Sequence, residues 1–398
     1  MHLARRGRSV VVVDKATFPR DKCCGDGLTT LALRELEDLG LRPAAVPNWF
    51  TVQVACLRSP SGREIALQLP GDGIFAATTP RRELDAALVD LARAAGAEVL
   101  DGHALRSIER PDGPSGVVHA VVDGVGIVEA AHVVAADGMW SPVRKALGVA
   151  SDGYLGEWHA FRQYASKVTG PARDRLHVWF DADLIPGYAW SFPLPDGRVN
   201  LGFGLLRDGE RRTQDMKALW PELLTRPHIR AALGDEVELE GRHLAWPIPA
   251  RIDRATLADG SVLFVGDAAM ATDTMTGEGI GQALVTGRLA AQAIADAPAG
   301  PDGTGRESAG ERYRVAARHH LVADHRMSVL LSRVLRSQRG ARGAVRVAGA
   351  NAWTRRNFAR WMFEDEPRAV VVTPSRWHRG FLHRPGAYRG DRHGAANA

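Results

Sequence analysis

Cysteine is nearly absent from this chain of 398 residues, which has three in all. Two are adjacent (Cys23, Cys24) and Cys56 stands alone, which gives neither a disulfide framework nor metal-ligand spacing. The sequence therefore predicts a reducing, cytoplasmic setting and no metal centre. His319, His320 and His325 also lack the i, i+4 partner and acid of a metal-binding helix, and are expected at the surface. Long apolar runs are missing as well. No stretch approaches the roughly 18 residues of a membrane-spanning helix, and the run Ser9 to Val13 passes straight into Asp14 and Lys15, which leaves no signal-peptide core. A large charge excess is lacking too: the net charge is +5, mild for this length, and no nucleic-acid motif accompanies it.

With 45% hydrophobic and 24% charged residues, the composition is that of a globular protein. A chain of this length buries about three quarters of its unfolded surface and divides into two or three domains. It opens MHLARRGRSVVVVDK. His2 to Arg6 reads as a helix end, Gly7 as its left-handed stop, and Ser9 to Val13 as a buried strand with Asp14 at its carboxyl end. In a dinucleotide-binding fold, an acid at the end of the second strand holds a ribose hydroxyl. The first strand and its Gly-x-Gly-x-x-Gly turn belong roughly 20 residues earlier, and no such turn follows a strand anywhere in the chain. The expectation is a domain without its first strand and turn.

A loop then leads into an amphipathic helix carrying Leu28, Leu31, Leu33, Leu36 and Leu39. A hairpin turns at Ser61-Gly62, a helix runs from Pro80 to Gly96, and strands end at Asp137-Gly138. From about Trp158 to Pro249, short alternating strands predict a separate, mostly antiparallel sheet, with one helix around Met216 to Leu224. SVLFVGDAA returns to a buried strand, followed by a long apolar helix. APAGPDGTGRESAG reads as a linker, the remainder as Arg-rich helix, and the last residues as a disordered polar tail. The predicted boundaries are 1–155 (including the hairpin, 51–70), 156–258, 259–298 and 299–398.

Chemistry concentrates at strand ends. Gly266-Asp267 follows four apolar residues, and Gly277, Glu278 and Gly279 open the next helix. Small residues at a helix start let backbone N–H groups approach an anion or a ring, and Asp267 offers an acceptor to sugar-type hydroxyls. A tight turn with an acidic cap is the plainer alternative.

GDAAMATDTMTGEGIGQAL resembles the flavin-closing motif of the geranylgeranyl reductase family, FAD-dependent proteins related to p-hydroxybenzoate hydroxylase. Three further stretches match in order: Cys24-Gly25-Asp26-Gly27-Leu28, then Asp137-Gly138 with Ser141-Pro142-Val143-Arg144, then Tyr188, Trp190, Phe192 and Pro193. The resemblance implies an α/β fold: a Rossmann-like FAD-binding domain, N-terminally truncated, with an inserted antiparallel substrate domain and a helical C-terminal region. It implies FAD contacts at Asp14, Cys24, Gly25, Arg81, Asp137, Gly266, Asp267, Gly277, Glu278 and Gly279. Cys23 and Thr274 stand where the family has proline. The second change leaves an extra N–H and more freedom beside the flavin.

The activity implied is hydride delivery from reduced flavin to carbon–carbon double bonds of an isoprenoid lipid or quinone tail. Cys24 and Tyr188 are the candidate proton donors. Tyr188, Trp190 and Phe192 are the candidate substrate contacts, with packing roles as the alternative for all three and for Cys24. Five tryptophans (Trp158, Trp179, Trp190, Trp220, Trp246) suit either an apolar tunnel or a core. NADPH, NADH or ferredoxin would dock transiently as electron donor. An aromatic monooxygenase and a truncated, flavin-free protein that is inactive or acts only by binding are the competing readings. A bilayer-resident substrate implies reversible contact with the inner face of the membrane, expected at Arg346 to Phe363, where aromatics and arginines mix. A helix that packs its aromatics on the FAD domain and leaves its arginines in solvent is the equal alternative, and Glu364, Asp365 and Glu366 just after it favour that one.

Overall fold

The computed structural model describes residues 1–390 except 112, 114, 115, 151, 208–212, 298–303 and 378–382. A short helical turn, Ala4–Arg6, stops at Gly7 with a left-handed φ of 73°. Then come β1 (Val11–Asp14), β2 (Gly27–Thr29), α1 (Thr30–Asp38), β3 (Phe50–Thr51), β4 (Val54–Arg58), β5 (Glu64–Gln68) and β6 (Ala76–Thr78). The Thr29 side chain caps α1 by accepting from the Ala32 N–H. α2 (Arg81–Ala94) starts behind Pro80, and β7 (Glu98–Asp101), β8 (Leu105–Glu109), β9 (Val118–Val122), β10 (Gly126–Ala130), β11 (Val133–Ala135) and α3 (Pro142–Ala146) follow. The second half contains β12 (Trp158–Ser166), β13 (Leu176–Trp179), β14 (Tyr188–Pro193), β15 (Val199–Leu206), α4 (Thr213–Thr225), α5 (Pro227–Leu233), β16 (Glu238–Ile248), β17 (Ala258–Asp259) and β18 (Val262–Phe264). Helices α6 (Ile280–Ala295), α7 (Thr304–Ala317), α8 (Ala323–Leu335), α9 (Gln338–Ala348) and α10 (Ala352–Met362) complete it. Among the described residues no helix is long and apolar enough to cross a membrane.

Two parallel pairs, β1 with β7 and β11 with β18, carry the dinucleotide-type part. The large sheet has seven strands in the order β16-β12-β15-β14-β13-β4-β5. The hairpin β4–β5 joins it through a parallel pairing of β4 with β13, so it extends this sheet and is hydrogen-bonded to neither parallel pair. The burial pattern explains the attachment. Leu57, Ile65 and Leu67 share one face with Leu176 and Val178, and bury it against α9 and α10. The other face packs Trp179, Phe161 and Phe203 on α4 and α5.

Two expectations need correction, and a third lies mostly outside the described residues. The linker reading ends early, because α7 runs from Thr304 through Gly310, where a Cβ would lie 2.7 Å from the Gly260 carbonyl; residues 298–303 lie outside the described residues. His325 is buried, 3.1 Å from an Asp253 carboxylate oxygen, because α8 lies against the loop before β17. The tail reading covers 388–398, of which 391–398 lie outside the described residues; its first residue, Tyr388, is buried with its ring edge-on to Trp49.

Candidate active site

A cavity of about 600 Å³ lies where the large sheet, the ends of β11 and β18, the start of α6 and helices α8–α10 meet. Its polar end is made by two loops. In the first, Asp26 sits fully buried at a left-handed φ of 65°. Its carboxylate accepts from the Tyr164 hydroxyl at 2.6 Å, Asn200 Nδ2 at 2.8 Å and the Arg81 N–H at 3.3 Å. Burial pushes this acid up to about 6, against those hydrogen bonds and the nearby Arg162 and Arg81. Asn200 also donates to the Cys24 carbonyl. The loop is thus fastened from behind while Cys24, Gly25 and Gly27 face the cavity. Burial raises the Cys24 thiol above its ordinary value, so it keeps its proton.

The second loop is held by Asp273. Its carboxylate accepts from the Met275 and Thr276 N–H groups, from Thr276 Oγ1 and from the Ser328 hydroxyl. The Thr274 carbonyl accepts from Trp158 Nε1 at 2.9 Å. The freedom expected at Thr274 is therefore removed by Asp273 and Trp158, without a proline ring. Gly277, Glu278 and Gly279 follow along the cavity wall. Glu278 accepts from the Gly281 N–H in the first turn of α6, which favours its charge. Burial outweighs this and raises it to about 7.

The aromatic wall comes from β14. Alternation places Tyr188, Trp190 and Phe192 on one face, with neighbouring ring centroids 6.0 and 6.1 Å apart. Phe192 covers Gly27, where a Cβ would lie 2.9 Å from the ring, and Trp190 Nε1 donates to Asn200. The Tyr188 hydroxyl donates to the Thr276 carbonyl, and burial raises its pKa, so its proton is engaged. Trp158, Trp190 and Trp246 line the cavity, whereas Trp179 and Trp220 belong to the core on the sheet's other face. The far wall is apolar: Leu331, Val334 and Leu335 of α8, Ala341 and Val345 of α9, Phe358 and Met362 of α10.

Of the residues expected at the site, Cys24, Gly25, Arg81, Tyr188, Trp190, Phe192, Gly266, Asp267, Gly277, Glu278 and Gly279 all line this cavity. Asp14 and Asp137 do not. Asp14 accepts from the Ala16 N–H and lies 3.7 Å from Arg20, which pairs at 2.8 Å with Asp85. Asp85 holds Arg81 through two hydrogen bonds of 2.8 and 2.9 Å, so Asp14 reaches the cavity only through this chain of charges. Asp137 accepts from the Val143 N–H, and its other oxygen is buried without a partner. In the motif following it, Arg144 is buried and donates to the carbonyls of Thr256, Ala268 and Val149. Sequence reasoning did not single out Asp26, Asp85, Arg20 or Asp273 for the site. The visible signals were the i, i+4 spacing of Arg81 and Asp85 and the place of Asp26 and Asp273 inside the two matched stretches; Arg20 left none.

The expected aromatic and arginine segment turns largely inward. Arg360 is completely buried and pairs at 2.6 Å with Asp365, while Phe358, Trp361 and the buried Phe363 line the cavity. Glu364 accepts from Thr29 and Gln282 and is pushed up to about 8 by burial. The acids after the helix thus fasten it to α1 and α6. Trp353 alone among these aromatics is well exposed, at 67%.

The donor set suits a flavin dinucleotide. Seven glycines bring backbone to the wall, and Asp267 has spare acceptor capacity, with Thr272 Oγ1 at 3.3 Å and Lys22 at 3.9 Å its neighbours. Comparison with known proteins agrees. Residues 1–324 match the family model described as FAD binding domain. A menaquinone reductase of Mycolicibacterium smegmatis is 32% identical over 306 residues, 73% of this chain and 71% of that one. Digeranylgeranylglycerophospholipid reductase 2 of Methanopyrus kandleri is 32% identical over 299 residues, 74% and 72% of the two chains. The crystal structure of a geranylgeranyl bacteriochlorophyll reductase-like protein from Thermoplasma acidophilum superposes with a TM-score of 0.76 at 21% identity, covering 94% of this chain and 95% of that one.

Proposed function

The chain belongs to the FAD-binding domain family as an FAD-dependent oxidoreductase of the geranylgeranyl reductase type, and from that premise we propose that its cavity takes the isoprenoid tail of a quinone or lipid and reduces its carbon–carbon double bonds. One observation carries the reading: the cavity runs without interruption from the thiol, glycine and acid end to an apolar wall of three helices. Arg81, Asp267 and the backbone at Gly25, Gly266, Gly277 and Gly279 are the groups that would hold FAD. Bound FAD, once reduced, supplies the hydride to one alkene carbon.

The other carbon needs a proton, which the protein must hold nearby at neutral pH. Cys24 and Glu278 both do so, the thiol because burial raises it and the carboxyl because burial brings it to about 7. Tyr188 is a positioning residue, since its proton is engaged on Thr276 while its ring shapes the wall. Trp190 and Phe192 exclude water and guide the tail. The electron donor, a nicotinamide or a ferredoxin, docks transiently.

Substrate access follows from the helices outside the apolar wall. Between Asp324 and Glu364 the sequence has no acidic residue. Arg326, Arg333, Arg336, Arg339, Arg342, Arg346, Arg355 and Arg356 are exposed and make no ion pair among the described residues. Leu330, Val334, Val347 and Trp353 are exposed among them. This face matches an anionic bilayer, where apolar burial and attraction to headgroups add.

The test is anaerobic incubation of the protein with FAD, an electron donor and a polyprenyl quinone. The expected product has gained two hydrogens per reduced double bond. A product that forms only with oxygen and carries a hydroxyl supports the monooxygenase instead, and absence of a flavin absorption band in the protein overturns the FAD site. Co-sedimentation with anionic but not neutral vesicles is expected, and its loss on reversing several of the exposed arginines would assign the contact.

A further inference from the structure

On the face of the large sheet away from the cavity, three chemically matched side chains converge. Cys56 on β4 is directly opposite His177 on β13 in the parallel pairing, and opposite Ala66 on β5 in the antiparallel one. Glu64 is two residues before Ala66 and so shares its face. The sulfur, a ring nitrogen of His177 and a Glu64 carboxylate oxygen all lie within 4.8 Å of one another. Leu57, Leu176 and Val178, which alternate with Cys56 and His177, line the substrate cavity on the opposite face. The cluster is therefore separate from the flavin chemistry.

We propose that Cys56, His177 and Glu64 form a binding site for a single zinc-like divalent cation, with a water as fourth ligand. Cys56 is 2% exposed and His177 4%, while Glu64 reaches in from solvent and gives the ion an entry path. The Nε2 of His177 is buried and has no hydrogen-bond partner. Leaving a buried nitrogen unpaired costs free energy, and a cation would remove that cost. The Pro171 carbonyl lies within hydrogen-bond reach of the same ring, the kind of partner that fixes the tautomer of a metal-bound histidine. Thiolate, imidazole and carboxylate together suit zinc better than calcium or magnesium.

The geometry asks little movement. A point equidistant from three atoms 4.8 Å apart lies about 2.8 Å from each, and zinc bonds to these atoms are roughly 2.0–2.3 Å long. The Arg175 side chain, which hydrogen-bonds the thiol and is exposed, would swing out to solvent as the thiol proton leaves. The ion would join β4, β5 and β13, the three strands at the hairpin edge of the sheet. Sequence spacing gives no sign of this site, because the ligands come from three strands and meet only through strand pairing.

The experiment is titration of the chelator-treated full chain with Co²⁺, followed by competition with Zn²⁺. One equivalent should bring up a thiolate-to-cobalt charge-transfer band in the near ultraviolet, which Zn²⁺ then abolishes. Cys56→Ser should lose the band, and His177→Asn should weaken binding by more than about 100-fold, the upper range for removing only an outer partner of a ligand. Glu64→Gln, at an exposed position that leaves the core intact, should weaken it about tenfold or more. These variants also separate the site from Cys23 and Cys24. No band in the wild-type chain, a band that persists in Cys56→Ser, or unchanged affinity in Glu64→Gln would overturn the proposal.

Discussion

The two ends of the cavity are held by opposite means. At the end formed by Cys24–Gly27 and Asp273–Gly279, small residues are fixed by buried hydrogen bonds, with Asp26 and Asp273 each taking several donors. At the end formed by α8–α10, apolar side chains make the wall, and the exterior carries arginines that make no ion pair among the described residues. The exception is Arg360, on the same helix as Arg355 and Arg356 but fully buried against Asp365 and the Phe75 ring. The contrast shows that a site for group transfer needs atoms placed to a fraction of an ångström, whereas a site for a flexible hydrocarbon needs only shape and dryness. It also shows that identical residue types one helical turn apart serve unlike ends.

The largest expected effect tests that last point. Arg360→Ala should destabilise the fold by about 3–5 kcal/mol, because Asp365 is left buried with Arg34 as its remaining partner. Arg356→Ala, on the exposed face of the same helix, should stay within about 0.5 kcal/mol. Urea unfolding of the two variants measures the difference, and equal losses would mean that Arg360 is not buried as described.

Next comes the polar end. Asp26→Asn keeps the shape and tolerates the left-handed backbone, yet presents an amide N–H₂ to the Arg81 N–H. A loss of about 1–3 kcal/mol is expected. Its pH dependence is distinctive. The native acid is raised to about 6 from 3.8, so the folded state holds a proton that the unfolded state has released. Wild-type stability should therefore fall as pH rises from about 4 to 6, and the variant should lose that slope.

Asp267→Ala then compares two acids in the same chain. Asp267 faces the cavity with spare acceptor capacity, whereas Asp235 pairs with Arg230 at the surface. FAD affinity should drop roughly tenfold or more in the first, the loss of a charged hydrogen bond, and should not change in Asp235→Ala. Fluorescence titration with FAD would show it.

Much of the polar end is legible in the sequence, and little of the apolar one is. Glycines and acids at strand ends are read directly, since turns and close approaches demand those residue types, and the alternation of Tyr188, Trp190 and Phe192 places them on one face. At Asp14 and Asp137 the sequence shows the position and not the partner. Their positions at strand ends were legible, but their side chains turn to the Ala16 and Val143 N–H groups. The inward turn of Phe358 and Trp361 was hidden for another reason. An amphipathic helix with arginines reads the same whether its apolar face meets a membrane or a core, and only the buried pairs of Arg360 with Asp365 and Glu364 with Gln282 decide between them. The hairpin's attachment to the large sheet leaves no local trace either, because its pairing partner β13 lies far along the chain.

The smallest expected effect concerns the proton. If Glu278 supplies it, turnover of the tail should track the protonated fraction of a group near pH 7. Below that pH the carboxyl holds its proton in the folded protein, and above it the proton is lost, so the rate should fall about twofold between pH 6 and 7 and more steeply beyond. Glu278→Gln cannot titrate and should give a slower, flat profile. Cys24 behaves differently. Its thiol is raised above an ordinary value of 9.0, so a reaction drawing on it alone would be flat through this range in the wild type. Single-turnover oxidation of the reduced flavin by substrate, followed at several pH values in wild type, Glu278→Gln and Cys24→Ala, separates the two. A wild-type profile that falls near pH 7 and survives in Cys24→Ala assigns the proton to Glu278, whereas a flat profile abolished by Cys24→Ala moves the role to the thiol.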